Sequence, residues 1–169
     1  MNKKIIALVI AIISIVGLIV YSIATRNNVI SIAYEIDLDK VNTTNIYQET
    51  DIGIQCGSVQ IRLGQLIDIS GYTVTKESDG IKQLLSPSKK YELVVVGAND
   101  TWFVQEIRTT VPGVEALYGF GITDTRKQVQ SSIDIPRKKK ITFNEDNAQV
   151  NLQFISDVLV VIDMRYVDR

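Results

Sequence analysis

An α+β fold is expected for this chain: an antiparallel sheet carrying short helices on one face, built from two related halves and preceded by a transmembrane helix. Three observations predict it. An uncharged apolar run, Ile5 to Ala24, opens the chain; strand-like alternation with polar turns fills the region beyond Gly57; and short helix signals punctuate those strands.

The opening run comes first. Its twenty uncharged residues, at about 1.5 Å each, span roughly 30 Å as a helix, the thickness of a bilayer's hydrocarbon layer. Lys3 and Lys4 precede the run, while Arg26 is the nearest basic residue behind it, followed by Glu35, Asp37 and Asp39. The positive-inside bias therefore predicts a single-pass anchor with a cytoplasmic N-terminus and the C-terminal part outside. Ser22-Ile23-Ala24 also offers a small-x-small pattern, so secretion after cleavage following Ala24 is the alternative. The expected organisation is residues 1–24 as anchor or signal peptide, 25–48 as stalk and entry strand, and 49–169 as the outer domain, with halves at about 49–111 and 114–169. Richness in Ile, Lys and Asn suggests a bacterial source.

Along the outer part, "YTVTK" and "IKQLL" flank "ESDG", a hairpin signal, and "YELVVVG" and "TWFVQEIRTTV" flank "AND", a second one. Strict alternation in the latter strand puts Phe103, Ile107 and Val111 on one face and Trp102, Glu106 and Arg108 on the other. Thr125 stands three residues before Gln128, a capping box that predicts a short helix with Val129 and Ile133 on one stripe. Beyond Pro136, "KITF", "QVNLQFI" and "VLVVIDMRYV" read as three strands separated by "NEDNA" and "SD".

The halves repeat. "VQEIRT" returns as "VIDMRY", pairing Val104 with Val161, while Leu93 pairs with Leu152 and Gly64-Gln65 with Thr123-Asp124. The second half, "GFGITDTRKQV" followed by "VNLQFISDVLVVIDMRY", resembles the helix-plus-hairpin unit of the small outer-membrane lipoproteins of the barrel-assembly machinery. It is also similar to the tandem repeats of the β-lactamase inhibitor proteins. The motif fits at Gly121, Thr125 and Val129; the first half keeps Ile61, Leu63 and Gly64 but places Leu66 where the helix cap belongs. The resemblance implies helices on one face of a curved antiparallel sheet and protein binding without catalysis.

Composition narrows the chemistry. The chain has no histidine, which removes Ser-His-Asp and Cys-His catalysis and imidazole-held zinc. Cys56 is the single cysteine, so no internal disulfide forms, and its apolar surroundings read as a small buried residue. A net charge of -1 argues against a nucleic-acid partner. Ser86 and Ser88 beside Lys89 and Lys90 sit in a proline-containing turn without an oxyanion loop, and Asp68 to Gly71 is one residue too long for an aspartic-protease-like triplet. Asn42-Thr43-Thr44 and Asn99-Asp100-Thr101 match the glycosylation pattern at near chance frequency, and Glu35, Asp37 and Asp39 lack the glycine and terminal glutamate of a calcium loop. No cofactor and no metal site is expected.

The candidate partner-binding residues are Trp102, Glu106, Arg108, Asp163 and Arg165, since Trp and Arg anchor protein interfaces; cross-strand ion pairs on a solvated face are the plainer reading. Arg137, Lys138, Lys139 and Lys140 are candidates for contact with an anionic surface, unless Glu145 and Asp146 neutralise them across the turn. The leading expectation is a non-enzymatic module that binds an envelope or secreted protein. A sensor for a small molecule or wall polymer is the alternative, and a histidine-independent hydrolase ranks behind both.

Overall fold

A computed structural model describes residues 47–98 and 100–167, all within one compact unit. Twelve strands run in order: β1 (Gly53–Cys56), β2 (Val59–Arg62), β3 (Leu66–Ile67), β4 (Thr73–Ser78), β5 (Ile81–Leu85), β6 (Glu92–Ala98), β7 (Thr101–Thr109), β8 (Glu115–Ala116), β9 (Phe120–Gly121), β10 (Lys140–Glu145), β11 (Ala148–Ile155) and β12 (Val158–Tyr166). Among the described residues one helix, α1 (Arg126–Ser132), lies between β9 and β10. Strand accounts for 54% of the described residues and helix for 6%, which overturns the α+β expectation: this part of the chain is mostly antiparallel sheet. No helix among the described residues is long and apolar enough to cross a membrane, and the expected anchor over 5–24 lies outside them. Glu35, Asp37, Asp39, Asn42 and Asn99 lie outside them as well.

Two physical reasons account for the correction. In the first half the helix start is missing: Leu66 stands where a cap oxygen is needed, pairs with Phe103 in β3, and Asp68 then turns the chain by accepting from the Ser70 N–H at 2.9 Å. Secondly, β1, β2, β8 and β9 come from "GIQCGSVQIR" and "VEALYGFG", segments too short and glycine-rich to show a period. Where the cap is present the helix forms. Thr125 Oγ1 accepts from Gln128 N, and the Gln128 side chain accepts from Thr125 N at 2.8 Å. Thr125→Ala is therefore expected to cost about 1 kcal/mol, read as a lowered urea midpoint; an unchanged midpoint would show that packing of Val129 alone holds the helix.

The strands form two sheets. A small one has the order β2-β1-β8-β9; a large one runs β10-β11-β12-β7-β6-β5-β4, with β3 added against β7. A single apolar cluster joins the small sheet and α1 to one face of the large sheet, through Ile54, Leu63, Ala116, Phe120 and Val129 from the first and Leu84, Leu93, Ile107, Leu152 and Ile162 from the second. Both sheets thus hide one face in a common core.

One local backbone arrangement recurs at two places in the chain. Arg62 N donates to Gln65 Oε1 at 2.8 Å, and Gly121 N donates to Asp124 Oδ2 at 2.8 Å. After each turn the chain clips onto a long hairpin: Gly64 N to Val104 O and Val104 N to Gln65 O, then Thr123 N to Leu159 O and Leu159 N to Asp124 O. Gly64 and Thr123 both have positive φ, +76° and +86°. Each hairpin also carries one extra residue at the matching place, Gln105 between the pairs Val95–Val104 and Val94–Glu106, and Val160 between Phe154–Leu159 and Gln153–Val161. In this register Val104 takes the place of Leu159, and Glu106 that of Val161. The alignment of "VQEIRT" with "VIDMRY" is therefore out of step by two residues, because the second hairpin is shorter at its tip.

The two long hairpins meet at β7 and β12, where Glu106, Ile107, Arg108 and Thr109 pair with Arg165, Met164, Asp163 and Ile162. Across this joint Arg108 faces its own structural counterpart, Asp163. In the small sheet β1 and β8 join in the same way, with Ile54 opposite Ala116.

Candidate binding face of the large sheet

Residues paired across an antiparallel ladder project to the same side, so the register places every candidate. Two polar rows cross the large sheet on the side away from the core. One row holds Thr142, Asn151, Asp163, Arg108 and Glu92; the next holds Asn144, Gln149, Arg165, Glu106, Val94, Gln83 and Lys76. Glu106, Arg108, Asp163 and Arg165 thus come together as an alternating square at the centre of the sheet, each acid opposite an arginine.

Trp102 does not join them. Its ring is 8% exposed and belongs to the core cluster, with the Lys82 ammonium 4.8 Å from the ring centroid. The cause is the bulge at Gln105, which breaks the alternation between Trp102 and Glu106: Trp102 and Val104 share the core side, as do Ile107 and Thr109 beyond the bulge, while Glu106 and Arg108 project to the other. The expectation that Trp102 shares a face with Glu106 and Arg108 is corrected accordingly. Phe103 takes the outer side instead, stacked on Tyr47 at 5.5 Å between centroids.

A chain of contacts runs over the rows. Thr142 Oγ1 donates to Asn151 Oδ1 at 2.7 Å, and Asn151 Nδ2 donates to Asp163 Oδ2 at 3.3 Å. Arg165 Nη2 lies 3.9 Å from that same oxygen and 3.4 Å from Glu106 Oε2. Further along, Gln83 Nε2 donates to Glu92 Oε2 at 3.2 Å. Four buried atoms on this side have no hydrogen-bond partner: Gln83 Oε1, Glu106 Oε1, Asp163 Oδ1 and Arg165 Nε. Burial, reinforced by the Asp163 charge and opposed by Arg165 and Arg108, pushes the Glu106 carboxyl up from 4.5 to about 7.

The basic run lies elsewhere. Arg137, Lys138, Lys139 and Lys140 are all exposed, and Lys140 sits on the edge strand β10 opposite Gln153. Glu145 does not neutralise them: its Oε2 accepts from the Tyr118 hydroxyl at 2.6 Å, and Asp146 stands in the following turn at φ +49°. Ser86 is a turn residue, its Oγ accepting from Lys90 N and Tyr91 N. Among the described residues no three His, Cys, Asp or Glu side chains converge in a way that could hold a metal ion.

No family model, curated protein or solved structure matches this chain. The likeness to the barrel-assembly lipoproteins and the β-lactamase inhibitor proteins therefore rests on the quoted motifs alone. Gln83, Asn151 and Thr142 were absent from the sequence-based candidates although each occupies an alternate position of a legible strand. The signal that could have found them was the strand period, extended one row beyond the charged residues.

Proposed function

We propose that the chain is a membrane-anchored, extracytoplasmic module that binds another protein at the cell envelope without catalysing a reaction, and that the polar side of its large sheet carries the contact. The apolar run over Ile5 to Ala24, with Lys3 and Lys4 before it, supports the placement. The observation that carries the binding reading is the alternating Glu106–Arg165 and Arg108–Asp163 square on the two central strands. Charges held in the middle of a sheet contribute little to stability once desolvation is counted, whereas charged and polar groups held in register discriminate strongly among partners. The recurring turn and bulge support descent of the two halves from one unit, which would place this square on the line joining the copies.

The test exchanges the charges without changing their sum. A photo-crosslinking residue at the exposed position Thr142 is expected to trap a defined envelope protein in the native cell, identified by mass spectrometry. The double substitution Arg108→Asp with Asp163→Arg keeps opposite charges facing each other across the β7–β12 register but exchanges their places, and should lower trapping by roughly tenfold or more. Trapping that survives the exchange, or no protein adduct in the unexchanged chain, would refute the reading.

A further inference from the structure

The square contains a feature that an ion-pair account does not satisfy. Arg165 Nη2 serves Glu106 Oε2 and Asp163 Oδ2 together, while the second oxygen of each carboxyl, Glu106 Oε1 and Asp163 Oδ1, is buried without any donor. Two ionised carboxylates in this setting repel each other and leave two desolvated acceptors unfilled. One proton removes both defects, because a protonated carboxyl donates to its neighbour and a carboxylate accepts.

The remaining surroundings are defined strand by strand. On β7 the nearest charge is Arg108; on β12, Arg165; on β6, Glu92 opposite Arg108; and at the far end of the row, Lys76 on β4. β11 and β5 contribute the uncharged Gln149, Asn151 and Gln83. Glu106 is 4% exposed, so its carboxyl is largely removed from bulk solvent. This pair lies within the four-residue pairing that joins the halves through the large sheet.

We propose that Glu106 and Asp163 hold a single proton between them, and that its release to solvent weakens the β7–β12 pairing, making the joint between the halves responsive to pH. The raised pKa of Glu106 agrees with this. Between pH 4.5 and about 7 the folded chain keeps a proton that the unfolded chain has already lost, so stability falls as pH rises through that window and levels off above it. The inference concerns contacts within the chain and stands apart from any partner.

The full chain in detergent provides the test. Infrared difference spectra at about pH 6 should show the carbonyl stretch of a buried protonated carboxyl that disappears in Glu106→Gln. Amide hydrogen exchange over residues 106–109 and 162–165, corrected for its intrinsic pH dependence, should speed up roughly tenfold or more between about pH 6 and pH 8. Glu106→Gln, whose amide can donate to Asp163 at any pH, should abolish that acceleration. Should this variant fail to fold, Asp163→Asn supplies the second measurement, with the Glu106 titration moving down toward the ordinary glutamate range. Absence of the protonated-carboxyl band, equal acceleration in Glu106→Gln, or an unmoved Glu106 titration in Asp163→Asn would each overturn the proposal.

Discussion

Gly64→Ala is expected to destabilise the fold by about 3 kcal/mol or more, the sum of a left-handed backbone penalty and a forced displacement of packed chain. Gly64 has φ +76°, and a Cβ placed there would lie 2.0 Å from Gln48 O and 2.7 Å from Gln48 C. Both are backbone atoms, so no side chain can swing aside. The residue also donates to Val104 O at 2.8 Å and thereby clips the entry turn to β7, so any shift that relieves the overlap strains that bond. Thr123 occupies the matching turn at φ +86° with an exposed side chain, and a β-branched residue there is under strain. Thr123→Gly is accordingly expected to stabilise by about 1 kcal/mol. Urea denaturation of the two variants checks both signs; midpoints that move in the same direction would show that the turns are not equivalent.

Phe154→Ala is expected to cost about 4 kcal/mol, the middle of the range for a large aromatic core side chain. The ring is 1% exposed and carries the Arg126 guanidinium 4.1 Å from its centroid. That arginine is itself 7% exposed, held by Asp157 Oδ1 at 2.8 Å and by Pro136 O at 3.2 Å. Removing the ring opens a cavity and strips a buried cation of its aromatic face, which adds about 1 kcal/mol to the loss from packing. Phe154→Leu keeps most of the volume and should cost less than half as much. Thermal unfolding of the single variants and of a double variant with Arg126→Met gives the coupling between ring and cation. A coupling near zero would mean that the ring acts through volume only.

The hairpins were legible because their signals are local. "ESDG" between alternating strands becomes the β4–β5 turn with Gly80 at φ +71°, and the spacing of Thr125 to Gln128 becomes a working capping box. The two-residue strands β8 and β9 were not legible, since each survives only by pairing with β1 or with the other. The identity of the face to which Trp102 belongs was hidden for a different reason. A bulge adds a residue without leaving a composition mark, and every side chain on one side of Gln105 changes face relative to the other.

By itself the sequence determined the longer hairpin strands of the large sheet, their turns, the helix cap at Thr125 and the lack of any histidine, all of which depend on residue identity and spacing within a few positions. Only the tertiary structure decided that Arg108 faces Asp163 and Arg165 faces Glu106, residues more than fifty positions apart brought together by the pairing of β7 with β12. The same pairing sets the character of Glu106. Its carboxyl is ordinary in composition, and it becomes hard to ionise because burial removes it from water and β12 places a second acid, Asp163, beside it.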